Sequence, residues 1–246
     1  MSKVSVDIEY IKVGLKNIGY EISDCLERTN NGTNWQIKFS NSGAIITIYD
    51  SNRVHNTVIN GKLANGETKI LKKIVDGLKC KEFEPDPLNA KIIKLIRSNK
   101  EDFDYDFKQC MYSDNETLLH DILCLSNNLK NKDAYLILGV TDNYSVVGVD
   151  EKCTSNNVFD FLKKLKFVGG NLPEIEIKNL FYTYKKLVII CKSSKNVPFY
   201  LTEKYRSIDA NRIYTRIGDT NTPKNQHASY SDVEKLWRIH FEREKE

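Results

Sequence analysis

The stretch Glu101-Asp-Phe-Asp-Tyr-Asp-Phe-Lys108 sets four acids ahead of one lysine, and Phe103, Tyr105 and Phe107 alternate through it with Asp104, Asp106 and Lys108. A period of two is that of a β-strand with one aromatic, buried face and one charged face. Further along, Leu136-Ile-Leu-Gly-Val-Thr-Asp142 reads as an apolar strand that closes on another acid. Carboxylates brought together from separate strand ends can hold a hard divalent cation through oxygen ligands. Bound Mg2+ or Mn2+ then activates water and polarises a phosphate. Without such a cation, clustered carboxylates repel and one of them takes up a proton. Lys108 is placed either to offset the charge of a pentavalent phosphoryl transition state or to form a plain ion pair with Asp104 or Asp106. On spacing alone, a half-exposed strand with a solvated charged face competes with a metal site.

A second chemistry-bearing stretch is basic. Between Lys178 and Arg216 stand Lys185, Lys186, Lys192, Lys195, Lys204, Arg206 and Arg212, against only Glu203 and Asp209. Tyr182, Tyr184, Tyr200, Tyr205 and Tyr214 are interleaved with them. Cations track phosphates, and aromatic rings stack on unpaired bases. Arg206, Arg212 and Arg216 are the best phosphate candidates because a guanidinium matches phosphate oxygens bidentately. Lys185, Lys186, Lys204 and Tyr214 complete the candidate nucleic-acid-binding set. The competing reading is a strand-rich region with core tyrosines and solvated lysines.

Other reactive residues carry less. His120 lies within an apolar helical pattern and reads as a satisfied core residue, while His55, His227 and His240 have no partner at ligand spacing. Cys110 reads as a buried, inert thiol. The six cysteines show no CxxC spacing, which argues against both a zinc site and a disulfide framework. No GxxxxGK[ST] pattern occurs, so ATP binding through a P-loop is excluded.

The elements that must position these residues divide into two groups. The segment Lys79-Cys-Lys-Glu-Phe-Glu-Pro-Asp-Pro87 is charged and carries two prolines, which suits an extended connector between domains at residues 1–80 and 88–246. Before it, apolar spacing predicts a helix over 6–18, strands over 21–29, 33–40, 44–50 and 54–60 separated by Asn/Gly/Ser turns, and a helix over 67–78. After it come a helix over 87–97, the acidic strand, a helix over 115–126, the strand at 134–139 and a short strand at 146–149. A helix over 155–165 follows, then strands near 174–182, 187–192, 198–201 and 212–216, and a closing helix from 231. The class is α+β, with a mixed sheet in the second domain. With 40% apolar and 28% charged residues the chain is typical of globular proteins, and a net charge of +4 is too mild to identify a partner by itself. No apolar run approaches the length of a membrane span, no apolar signal core opens the sequence, and reduced thiols in the cytoplasm are expected.

From about residue 88 to 240 the chain resembles the Schlafen AlbA_2 domain family, some members of which are described as divergent AAA domains. The resemblance is carried in order by Glu101 and Asp106-Phe-Lys108, then Leu123-Cys-Leu-Ser-Asn127, Gly139-Val-Thr-Asp142 with Val146-Val-Gly148, Tyr214-Thr-Arg-Ile-Gly218, and His227-Ala-Ser229. Two departures stand out. Asp106 takes the place of a usual second glutamate, and Asn128-Leu-Lys-Asn-Lys-Asp133 replaces a usual Gly-Gly pair. Residues 1–80 resemble one half of a TATA-binding-protein-like fold in the order of their elements. The Schlafen resemblance implies a metal-dependent endoribonuclease acting on structured RNA such as tRNA, with Glu101, Asp106 and Asp142 as ligands of Mg2+ or Mn2+. By the same resemblance it implies a role in phage defence or as a toxin. A homodimer would supply the second wall of a cleft, with the N-terminal domain positioning substrate or pairing protomers. The alternative is a nucleic-acid-binding regulator of the same fold that does not cleave.

Overall fold

A computed structural model describes residues 6–29, 34–50, 56–64, 66–82, 86–130, 132–149, 156–183, 185–193 and 196–243. The turn expected at 30–32, the strand start at 54–55, the middle of the connector at 83–85, the helix start at 155 and Tyr184 and Lys195 lie outside them. The chain forms two compact units, Met1–Ser98 with Leu180–Lys185, and Asn99–Asn179 with Lys186–Glu246.

In the first unit, Asp7 accepts a hydrogen bond from the Tyr10 backbone N–H and opens α1 (Ile8–Asn17). The strands β1 (Ile22–Arg28), β2 (Asn34–Phe39), β3 (Ile45–Tyr49) and β4 (Val58–Asn60) follow as an antiparallel meander in sequential order. Next come α2 (Glu67–Lys79) and then α3 (Pro87–Arg97), which has its proline in the first turn, where no N–H is needed. The core gathers Ile11, Leu15, Leu71, Val75 and Leu78 from the helices with Ile37, Phe39, Ile46 and Ile48 from the sheet. This is the α+β pattern expected from the alternation and helical spacing. Although α3 follows the connector in sequence, it groups with the first unit.

The second unit begins with β5 (Tyr105–Lys108). Asp114 then caps α4 (Asn115–Ser126) by accepting from the Thr117 N–H. This helix is the crossover to β6 (Ala134–Leu138), which pairs parallel to β5 with Asp106 opposite Leu136 and Lys108 opposite Leu138. The helix α5 (Asn156–Leu162) precedes β7 (Glu174–Tyr182) and β8 (Lys185–Ser193), and β8 pairs antiparallel to β6. The sheet order is β5-β6-β8-β7. A two-residue ribbon of β9 (Arg216–Ile217) and β10 (Thr220–Asn221) and the final α6 (Tyr230–Arg243) complete it. All five residues of β6 are buried, as is every residue of α4 from Leu118 to Ser126. A parallel pair covered on both faces reads as a continuous apolar run, and a helix buried all round has no polar stripe.

That burial corrects three expectations. The charged face of the acidic strand is solvated only in part, because Asp106 is 1% exposed with Tyr105 and Phe107 buried behind it, while Asp104 and Lys108 are half-buried. Cys110, beyond the strand end, is exposed. The segments 198–201 and 212–215 are not strands; a single bridge joins Leu201 to Phe167. Loop backbone holds part of them, with the Val168, Asn211, Ala228 and Thr222 N–H groups donating to the Tyr200, Leu201, Ile213 and Thr215 carbonyls, and one buried side chain holds the rest of what is bonded at Phe199 and Tyr214. Asn127 Nδ2 donates to the carbonyls of Phe199 (2.8 Å) and Tyr214 (2.9 Å), and its Oδ1 accepts from the Phe199 N–H (2.7 Å). Pro198 has no N–H to give a ladder, so a side-chain staple replaces one. Among the described residues, no helix is long and apolar enough to cross a membrane.

Truncating Asn127 strands three buried backbone groups. Asn127→Ala is expected to cost about 3 kcal/mol of unfolding free energy in urea denaturation, whereas a solvent-facing change such as Asn225→Ala is expected to be near neutral.

Candidate functional site

The side chains of Asp106 and Lys108 leave the same face of β5, two residues apart. That face looks onto α4, where Asp121 is buried within the apolar run. Lys108 Nζ lies 2.6 Å from Asp106 Oδ2 and 4.0 Å from Asp121 Oδ2. The first distance is that of a close ion pair, and no donor other than this ammonium reaches the buried oxygen. Glu101, just before the strand, folds back over it. Its Oε1 accepts from the Phe107 N–H at 3.0 Å.

Arg216 enters from the β9–β10 ribbon and is 2% exposed. Its Nε donates to the Asp102 carbonyl (2.9 Å) and Nη1 to Asn221 Oδ1 (2.9 Å). Its Nη2 reaches Glu101 Oε2 (3.0 Å) and Asp106 Oδ1 (3.4 Å). Asn221 in turn donates through Nδ2 to Asp121 Oδ1 (2.7 Å), and the Tyr112 hydroxyl donates to Asp121 Oδ2. The result is one polar network of three carboxylates, two cations, an amide and a phenol set into an apolar core. Asp121, Tyr112 and Asn221 were not among the residues expected from sequence. The signal for Asp121 was a charge inside Leu118–Leu125, which burial obliges to find partners.

The network sets the protonation states. Burial pushes Asp106 up to about 6, against the opposing pull of Lys108 and Arg216. For Lys108, burial is the largest influence and works downward, but Asp106, Asp121 and Glu101 together outweigh it and keep the ammonium above its ordinary value. Burial would raise Asp121, but His120, Tyr112 and Lys108 together hold it below the usual carboxylate range. Burial, then the Asp121 charge, push the Tyr112 phenol upward, so it stays a donor. His120 has its Nε2 2.8 Å from the Thr222 carbonyl and its Nδ1 3.8 Å from Asp121 Oδ1. It is the core histidine that its apolar surroundings suggested.

The remaining expected residues lie elsewhere. Asp142 is exposed in the turn 141–145, which is tied by Thr141 and Ser145, and among the described residues it makes no hydrogen bond or ion pair with the network. The preceding Gly139 has φ +94°, and a Cβ there would sit 2.8 Å from the Gly148 backbone carbon, so the Gly-Val-Thr-Asp motif is first a tight turn. Tyr214 is fully buried, its ring edge-on to His120 and its hydroxyl on the Lys224 carbonyl. Arg212 is held by Asp209 and the Lys224 carbonyl, and Lys204 by Asp209. Arg206 is exposed, its guanidinium 5.7 Å from the Tyr205 ring. Lys185 and Lys186 lie on β8, and their side chains are outside what is described.

A family model described as Schlafen, AlbA_2 matches residues 101–225, slightly more than half of the chain. The chain belongs to the Schlafen AlbA_2 family. The matched span takes in every member of the buried network, from Glu101 to Asn221. No curated protein matches the chain.

Schlafen AlbA_2 membership raises the question of a divalent metal on Glu101, Asp106 and Asp142. In the present arrangement the side chains do not fit one. Both Glu101 oxygens take donors, the two Asp106 oxygens face Arg216 and Lys108, and Asp142 stands apart. Among the described residues, no three His, Cys, Asp or Glu side chains are grouped to hold an ion.

Two outcomes follow. Removing one partner of a buried ion pair costs about 3–5 kcal/mol, so Arg216→Met, which strands Glu101 and Asp106, is expected to lose that much stability by urea denaturation. For Asp106 the folded value lies above the unfolded one. Below about 4 both states hold the proton, and from there to about 6 only the folded state does. Stability contributed by this group is therefore present at low pH and is lost as pH rises through that window. The stability of wild type relative to Asp106→Asn is expected to fall by up to about 3 kcal/mol across the window and then stay flat to pH 8. A difference that instead rises with pH would contradict the assignment.

Proposed function

We propose that this protein binds nucleic acid through its Schlafen AlbA_2 unit, with a backbone phosphate held at the mouth of the Lys108 network, and that it does so without a metal ion. The observation that carries this is the pairing of the acidic strand: Arg216 and Lys108 are the counter-ions of Glu101 and Asp106, Asp121 is held by Asn221 and Tyr112, and Lys108, 36% exposed, is the cation that reaches solvent. Membership of the Schlafen AlbA_2 family supports action on nucleic acid. Structured RNA, with tRNA as the test case, is the substrate class that the motif pattern carries. Arg206 adds an exposed guanidinium beside an aromatic ring, a pairing suited to phosphate and base.

A second reading is a metal-dependent endoribonuclease of Schlafen type. It is favoured by one observation, a buried Asp106 oxygen that no group but the Lys108 ammonium reaches, since perturbed buried carboxylates in functional clusters commonly serve a ligand or reaction. Glu101 and Asp106 would then be the ligands, and Lys108 would have to give way.

End-labelled tRNA separates the two readings. Binding that persists in EDTA, weakens with added salt, drops in Lys108→Met and Arg206→Ala, and leaves the RNA intact in Mg2+ and Mn2+ supports the first. Cleavage in Mn2+ that EDTA and Asp106→Asn both abolish would support the second and overturn the first.

A further inference from the structure

We infer that Lys108 is the resident cation of the acidic network and keeps divalent metal ions out of it, so that the positive charge offered there to a phosphate is an ammonium. The inference rests on the reading of this face as a phosphate site, but its test uses no nucleic acid.

Three observations carry it. Lys108 is two residues from Asp106 on one strand, so backbone pairing to β6 fixes which carboxylate its stem faces. Its Nζ occupies the approach to the one carboxylate oxygen of the network that no other donor reaches, Asp106 Oδ2, at 2.6 Å. A metal ion bonded to that oxygen at about 2.1 Å would meet the ammonium as a like charge at close range. The remaining carboxylate oxygens are bound by Phe107, Arg216, Asn221 and Tyr112.

The charge balance says what removing Lys108 would do. With it, three carboxylates (Glu101, Asp106, Asp121) face two cations (Lys108, Arg216). Without it they face Arg216 alone, and the two uncompensated negative charges lie around an oxygen with no donor. A hard dication is the ligand such a site takes. Lys108 is accordingly a positioning residue that decides whether the network accepts a metal. Its lysine chemistry suits that role, because a compact ammonium on a flexible stem fills a metal-sized volume as a planar guanidinium does not.

The test is titration of Mn2+ into the full chain, with free Mn2+ followed by electron paramagnetic resonance. Wild type is expected to leave the signal as in buffer. Lys108→Met is expected to deplete it with one-site saturation, and Asp106→Asn in that background to remove the gain. Should Lys108→Met not fold, Lys108→Gln takes its place. Saturable Mn2+ uptake by wild type that Asp106→Asn abolishes would overturn the inference by itself, whatever the variants do. So would a folded Lys108 variant that gains no uptake. If RNA binding fails while these titrations behave as expected, the functional reading falls and the inference stands.

Discussion

A guanidinium sealed in a protein core has to be matched on every side, and Arg216 imposes that constraint on the second unit. It cannot shed its proton, so its fork must find fixed acceptors. It finds them on the chain entering β5 (Glu101 and the Asp102 carbonyl), on β5 itself (Asp106) and across its own ribbon (Asn221). These groups come from distant parts of the sequence, so the arginine fixes how the ribbon sits against the strand. Asn221 then passes the constraint to Asp121, and Asp121 passes it to Tyr112 on the segment between β5 and α4. Asn127 does similar work at the other end of α4 for backbone that no strand supports.

Much of the architecture was legible in the sequence because it depends on local periodicity. The helix at Glu67–Lys79, the meander of β1 to β4 and the strand at Ala134–Leu138 follow from apolar spacing and turn residues alone. The acidic strand was legible as a strand, but the fate of its charges was not. Alternation says which residues share a face; it does not say whether water or α4 covers that face. Nor does it say that Arg216, a residue that composition assigned to phosphate, lies under the carboxylates. Its identity as their counter-ion arises from a long-range contact that no spacing rule encodes. The strands expected at 198–201 and 212–215 failed for the same reason: their backbone is satisfied by distant loop backbone and by Asn127, far away in sequence, and no ladder forms.

The same logic explains why the basic stretch looked more exposed than it is. Counting cations against acids within a window ignores acids and carbonyls brought in by folding. Arg212 and Lys204 share Asp209, Lys224 bonds Glu116, and Tyr214 belongs to the core with His120. What remains for a polyanion among the described side chains is a smaller set, with Lys108 at the edge of the buried network and Arg206 beside Tyr205. Family membership and this residual charge both point to nucleic acid.

The central claim is that the acidic network is closed by its own cations. The most direct measurement is a crystal of the full chain soaked in Mn2+ and analysed by anomalous scattering. The account predicts ordered Lys108 density against Asp106 and no anomalous peak among Glu101, Asp106 and Asp121. A peak bonded to Asp106, with Lys108 swung away, would contradict it.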